Sequence, residues 1–378
     1  SSDVCSSDLT DDSKYRIHFA ELEQFMKDVL MAKGVAEADA ARCAKVLVQA
    51  DKQGMDTHGI QRLKTIYCDR IDIGQLNPKT VFDVVKETET TAVVDGHNGM
   101  GHSIAMQAMQ LAIDKAKAHG IGMVVVRNGT HYGIAGYYPK MAAEQGCIGF
   151  SGCNARPSVC PCWSVEPKLG TNPLVFAFPS DEGFPFCLDC ATSIVQRGKI
   201  EMYAREGKKC QPGWVCDRSG KVLSEPGPML EAFQKGTAAC YPLGGYGEEM
   251  GGHKGYGYAA LVEILSSCLS GANFLSGCSG LKDGKKVPIE LGQFFMAINI
   301  ECFRPLEEFK KQVGDICREL RSAAKAPGAT RIWTPGEKEH DTFLERSVKG
   351  VYIPDVTRTE MEKLRADCHL NTKFPWDN

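Results

Sequence analysis

No stretch of the chain approaches the roughly 20 consecutive apolar residues that a bilayer-spanning helix needs. No charged-then-apolar leader opens it either, so the expected location is cytoplasmic. Basic runs and aromatic-basic stripes are also missing, and 44 Lys and Arg against 47 Asp and Glu leave a formal charge of -3. Without that electrostatic footprint the expected partner is a small-molecule substrate, with no nucleic acid and no membrane. The 17 cysteines are spread along the chain without a secretion signal, so reduced thiols are expected rather than a disulfide framework.

What is present is ordinary globular material, 43% hydrophobic and 24% charged. A chain of 378 residues exceeds the usual size of one hydrophobic core, so two domains are expected, consecutive or interleaved. Residues 1–9 stand apart: Ser1-Ser2-Asp3 recurs as Ser6-Ser7-Asp8 with no helical or strand periodicity. This segment resembles a translated sequencing adaptor and is left out of the fold reading. The rest shows no internal repeat.

Phe19, Leu22, Phe25, Met26, Val29 and Leu30 recur at helical spacing before Gly34, and a second helix is expected over 37–50. A third should start after Asp56-Thr57, either of which can cap it, and turn Ile60, Leu63 and Ile66 inward. Strands are expected at 91–95, 122–126, 148–153, 174–178 and 186–188, with helices at 103–119 and 134–145 between them. Later, 256–269 reads as helix and 293–300 as an alternating strand. Residues 306–324 read as an amphipathic helix with Phe309, Val313, Ile316 and Leu320 on its buried face. The fold class is therefore α+β, with a sheet-rich α/β domain (89–254) inserted in a discontinuous helical domain (13–88 and 255–378).

Four segments carry chemistry. In Asp56-Thr57-His58-Gly59-Ile60-Gln61-Arg62 a Thr57 cap would put His58 and Arg62 on one helix face. Arg62 then holds a carboxylate while His58 protonates a neighbouring carbonyl oxygen; the same residues also fit an exposed helix start with a solvated arginine. His131 lies in a Gly-containing turn after a strand, a place for ligand contacts or for a structural histidine. Asp189-Cys190-Ala191 ends a strand, where a carboxylate can orient an imidazole or receive an amide, or can simply cap a helix. Gly252, His253 and Lys254 open a helix whose N-H groups suit a pyrophosphate, although a ligand-free loop reads the same way.

Two further patterns compete with these. Gly96 to Gly101 sits between a strand and a helix, but its glycine spacing is reversed from the Rossmann fingerprint. Cys187 and Cys190 form a Cys-x-x-Cys that raises zinc or thiol chemistry. No second pair stands at zinc-ribbon spacing, so no metal site is expected and cysteine is read as a small core residue.

Taken together, 50–62, 127–138, Leu169-Gly170-Thr171-Asn172-Pro173, 188–199, 251–257 and Pro335-Gly336-Glu337 resemble the type-2 malate/L-lactate dehydrogenase family. That family includes sulfolactate, ureidoglycolate and diketogulonate enzymes and a cyclic-imine reductase. The resemblance implies a non-Rossmann domain that binds NAD or NADP, usually within a homodimer. It puts His58 on the proton donor, His131 on a second acid/base and Arg62 on the carboxylate clamp, with Thr57 and Asn172 on the substrate side. Asp189 to Ala191 and 251–257 fall on cofactor-contacting segments. The activity implied is hydride transfer between a nicotinamide and a 2-hydroxy/2-oxo acid, malate or lactate above all. The alternatives are reduction of a cyclic imine carboxylate and, more remotely, zinc or thiol binding. Thr57, Tyr132 and Cys190 replace a common Ser, Phe and Met of the family, without removing a titratable group.

Overall fold

The computed structural model describes residues 12–205 and 207–377, so the adaptor-like segment 1–9 lies outside the described residues. Its centre is a seven-stranded mixed sheet. The strand order is Asp83–Glu87, Thr91–Asp95, Ile121–Gly129, Leu291–Asn299, Cys147–Cys153, Leu174–Phe178 and Phe186–Cys190. Only Thr91–Asp95 and Ile121–Gly129 pair in parallel, joined by the helix Gly101–His119; the other ladders are antiparallel.

The central strand comes from within the segment 255–378, expected to be the helical return. Leu291–Asn299 is hydrogen-bonded on both sides, to Ile121–Gly129 and to Cys147–Cys153. Its residues are almost all buried rather than alternating, because both sheet faces are covered. Ala105, Ala108, Met109 and Ala112 of helix Gly101–His119 pack on one face with Phe295, while Val262 of helix Gly252–Ser267 packs with Val125 and Phe294 on the other.

The first and last parts of the chain share a core. Leu22, Phe25, Met26, Val29 and Leu30 from helix Phe19–Ala32 cluster with Leu47, Leu63 and Tyr67, and with Val351, Ile353, Met361 and Leu364 from the C-terminal segment. Fully burying each large apolar side chain contributes about 1.5–3 kcal/mol, and this shared interior holds the ends of the chain together. A two-stranded ladder, Arg16 to Tyr352 and Ile17 to Val351, ties them further. Helix Leu306–Ser322 departs from expectation. Its buried residues are Gly314 and Cys317, whereas Ile316 and Leu320 are about half exposed, at 52% and 53%.

Residues 56–72 also differ from the single capped helix expected. They form a 3-10 turn (Asp56–His58), one α turn (Ile60–Arg62), a π segment (Leu63–Cys68) and a short α-helix (Asp69–Asp72). Neither Asp56 nor Thr57 caps a helix with its side chain. A buried carboxyl does that work instead: Asp51 Oδ2 accepts from the Ile60 N-H at 2.9 Å. A Cβ on residue 59 would lie 2.0 Å from Asp51 Oδ1, which explains glycine there. Arg346, on helix Glu337–Lys349, clamps the turn from outside by bonding Asp51 O (2.6 Å) and Asp56 Oδ2 (3.0 Å).

Candidate active site

The interrupted helix places His58 at a cleft and holds Arg62 to it through Thr57, by a route other than a shared helix face. Arg62 Nε donates to Thr57 O at 2.6 Å, and Thr57 Oγ1 lies 2.9 Å from His58 Nδ1. Side chain, backbone and imidazole are thus locked as a unit. The His58 ring stacks nearly parallel to His131, with centroids 5.8 Å apart and planes inclined by 17°.

His131 arrives at the end of strand Ile121–Gly129, and two donors fix its tautomer. The Gly133 N-H donates to Nδ1 at 3.3 Å, and Tyr67 Oη lies 2.6 Å from the same nitrogen. Since a backbone N-H can only donate, Nδ1 is an acceptor and the proton of the neutral ring sits on Nε2. Burial raises the Tyr67 phenol well above its ordinary range, so it remains a donor. Burial holds His131 well below the usual imidazole range, with neighbouring His58, His102, Arg70 and Arg62 adding to the effect. His58 is pushed down to about 4 by burial and then by the Arg62 charge. Both rings are neutral near pH 7, and His131 presents an N-H at Nε2.

The cleft beside them is lined by Thr57, His58, Gly133, Ala135, Thr171 and Asp189, among others. Asp189 accepts from the Gly136 N-H at 2.7 Å, which pins the loop after His131. Burial raises its carboxyl pKa, partly offset by Lys140. Ala191 also lines the cleft. Cys190, one residue away on the alternating strand, has its thiol 3.9 Å from Leu174 O and is not among the lining residues.

Asn172 is not brought to the cleft. Its side chain is fully buried and donates to Ala259 O (3.0 Å) and Glu263 Oε2 (2.8 Å), so it anchors the wall formed by Thr171 and Pro173. Gly252, His253 and Lys254 also lie elsewhere. Lys254 lines a separate cavity with Gly251, Glu248 and Glu249, whose two carboxylates oppose an anion. The His253 N-H is already bonded to Gly247 O, and a Cβ on Gly252 would sit 1.9 Å from Gly245 O. Close backbone packing accounts for the glycine, whether or not a phosphate approaches. The reversed-spacing turn at Gly96 to Gly101 is similarly filled by protein: a Cβ on Gly101 would lie 2.4 Å from His131 O.

Several site residues carried no sequence signal. Tyr67 reads as one more apolar helical position. Glu201, on helix Arg197–Arg205, comes within 3.7 Å of the Arg62 guanidinium. Gly198 lets that helix approach, since a Cβ there would meet Thr57 Cγ2 at 3.0 Å. Among the described residues no group of three or more His, Cys, Asp or Glu side chains is arranged to hold a metal ion.

The comparisons assign the class: the chain, with His58 lining the cleft and His131 stacked on His58, is one of the dehydrogenases that use nicotinamide cofactors. It belongs to the malate/L-lactate dehydrogenase family, whose model matches residues 17–362. A malate dehydrogenase of Pyrococcus abyssi is 42% identical over 354 residues, 94% of this chain and 95% of its own length. The L-sulfolactate dehydrogenase of Methanocaldococcus jannaschii is 38% identical, covering 91% of this chain and 94% of its own. The crystal structure of malate dehydrogenase from Entamoeba histolytica superposes with a TM-score of 0.92 at 48% identity, covering 95% of this chain and 99% of that one. No helix among the described residues is long and apolar enough to cross a membrane.

Proposed function

We propose that this oxidoreductase interconverts a small 2-hydroxy acid and its 2-oxo acid, of malate or lactate type, with NAD or NADP. The observation that carries the reading is the stacked His58–His131 pair beside Arg62, with Arg62 and His58 both held through Thr57. Two imidazoles, one of which can take up a proton, and one cation suit an anionic substrate whose carbonyl oxygen must gain a proton.

The cleft fits a nicotinamide. Gly133, Ile134, Ala135, Pro173 and Ala191 give it a largely apolar wall, and Asp189 offers a carboxyl that can receive an amide N-H. When bound there, the nicotinamide supplies or accepts the hydride. Arg62 anchors the substrate carboxylate through its Nη groups, because Nε is committed to Thr57 O. Burial is the larger cause that holds His58 down and the Arg62 charge the lesser; the substrate carboxylate offsets the lesser one, and His58 takes up a proton in the complex before giving it to the carbonyl oxygen. His58 protonates the carbonyl oxygen, His131 Nε2-H polarises it, and Tyr67 keeps His131 in the donating tautomer. Oxidation of the hydroxy acid reverses these proton movements.

The test is a panel of 2-oxo acids assayed with NADH and with NADPH, with a cyclic imine carboxylate as the alternative substrate. Turnover of a 2-oxo acid supports the reading, and turnover of the imine alone replaces it. We further propose a homodimer, in line with the exposed Tyr258, Leu261 and Ile264 of helix Gly252–Ser267, at 54%, 44% and 57%. Sedimentation equilibrium at twice the monomer mass is the expected result.

A further inference from the structure

Thr57 and His58 line the cleft, whereas the Arg62 guanidinium from the same turn is engaged to one side of it. Its Nε donates to Thr57 O at 2.6 Å, and its Nη2 faces Glu201 Oε2 at 3.7 Å. Glu201 belongs to helix Arg197–Arg205, which starts beside the cleft: Gln196, the residue before it, is part of the cleft wall. At Gly198 this helix lies against the turn, since a Cβ there would stand 3.0 Å from Thr57 Cγ2 and 3.3 Å from Arg62 Nη2. Glycine at 198 is therefore what lets a carboxylate one helical turn later reach the guanidinium.

The two oxygens of the Glu201 carboxylate are held differently. Oε1 accepts from Arg197 Nε at 3.0 Å within the helix, while Oε2 lies beyond hydrogen-bond length from Arg62. Glu201 thus keeps a cation when Arg62 leaves it, and the exchange strands no carboxylate. Arg62 and Glu201 are both partly exposed, and an ion pair of that kind contributes little to folding. Its weight falls on ligand binding instead. With Nε committed to Thr57 O, a substrate carboxylate must use the Nη groups, and Nη2 is the one that Glu201 faces.

We propose that Glu201 is a latch on Arg62, a stand-in for the substrate carboxylate that is displaced when a 2-oxo acid binds. This rests on the 2-oxo-acid reading and deepens it, by naming the residue that sets how tightly the acid group is held. Between turnovers the latch keeps Arg62 aligned, because a negative charge already stands beside it. The incoming carboxylate replaces one long contact with charge-assisted hydrogen bonds, and Glu201 falls back on Arg197. Glu201 is a positioning residue here: it acts through Arg62 and touches no reacting atom.

The experiment measures the Kd of oxalate, which has carboxylates but no ketone to reduce. Calorimetry compares wild type, Glu201→Gln, Arg62→Ala and the double variant, each with NADH and with NADPH present. Glutamine can still accept from Arg197, so the helix is retained. Glu201→Gln should bind oxalate about 2- to 5-fold more tightly than wild type, and the gain should vanish in the Arg62→Ala background. No gain overturns the latch, because Glu201 then does not compete for Arg62. The same gain without Arg62 also overturns it, because Glu201 then only repels anions. For a 2-oxo acid that wild type reduces, the effect should appear as a lower KM, and a change confined to kcat counts against the latch. Turnover of a 2-oxo acid with an unchanged oxalate Kd defeats the latch alone and leaves hydride transfer standing. No turnover of any 2-oxo acid defeats the hydride-transfer reading, whatever oxalate does.

Discussion

At the scale of single residues the account rests on how protons are distributed between two imidazoles. His58→Gln removes the donor, and turnover with a 2-oxo acid should fall about 100- to 10,000-fold while the Kd for NADH barely moves. If His131→Gln is the crippled variant and His58→Gln is nearly normal, the roles are reversed. His58, His131 and Arg62 could be singled out in the sequence as titratable or charged groups beside an expected helix start and a strand end. Their roles came from the family resemblance, and the structure brings the two rings together. Tyr67 could not be singled out, since a tyrosine at an apolar helical position looks like core until its hydroxyl is seen 2.6 Å from His131 Nδ1. Asn172 entered only through the family resemblance, and a lone amide in the sequence gives no sign that its side chain is buried against Glu263.

At the scale of elements, the segment 56–72 shows where periodicity stops being informative. Its apolar spacing fits one helix, and Ile60 and Leu63 are buried as that pattern requires. What breaks the helix is tertiary: the Asp51 carboxyl on helix Glu37–Lys52 and the Arg346 clamp on helix Glu337–Lys349, one before and one nearly 300 residues after the turn. Gly59→Ala tests this directly. Its methyl group collides with Asp51, and such overpacking costs about 1–3 kcal/mol. Both Tm and turnover should drop, because the same turn carries His58; an unchanged Tm would show that the contact is not close in solution. Strand Leu291–Asn299 was recognised, but not its place. A central strand and an edge strand differ in partners that only the folded sheet supplies.

At the scale of the whole molecule, buried histidines tie stability to pH. His102 is fully buried beside Tyr67 with no hydrogen-bond partner among the described residues on either ring nitrogen, and burial pushes it down to about 3. His58 and His131 move in the same direction. The unfolded chain binds protons at these rings near 6.5, so between there and about 4 it holds more protons than the folded one. Their stabilising contribution is complete above that range and is lost as pH falls through it. Replacing His102 with Leu removes one such group, so its Tm relative to wild type should rise on going from pH 7.5 to pH 5.0. A difference that is constant with pH would mean that His102 is solvated or already charged. The mixture of helix and sheet was foreseeable from the order of helical and strand-rich segments. The interleaving of the sheet was not, because a single strand recruited from position 291 leaves no mark on local composition.

Hydride transfer to the 2-oxo carbon is the central claim, and isotope transfer tests it most directly. Wild-type protein is incubated with oxaloacetate and NADH or NADPH carrying deuterium at C4 of the nicotinamide, each face labelled separately, and the product is read by NMR. One labelled face of at least one cofactor should deliver deuterium to C2 of malate, and Arg62→Ala should slow the transfer about 30- to 4,000-fold, as loss of a carboxylate clamp that substrate binding closes off from water implies. Product formed with hydrogen from solvent at C2, or no transfer to oxaloacetate or to pyruvate with either cofactor, would contradict the account.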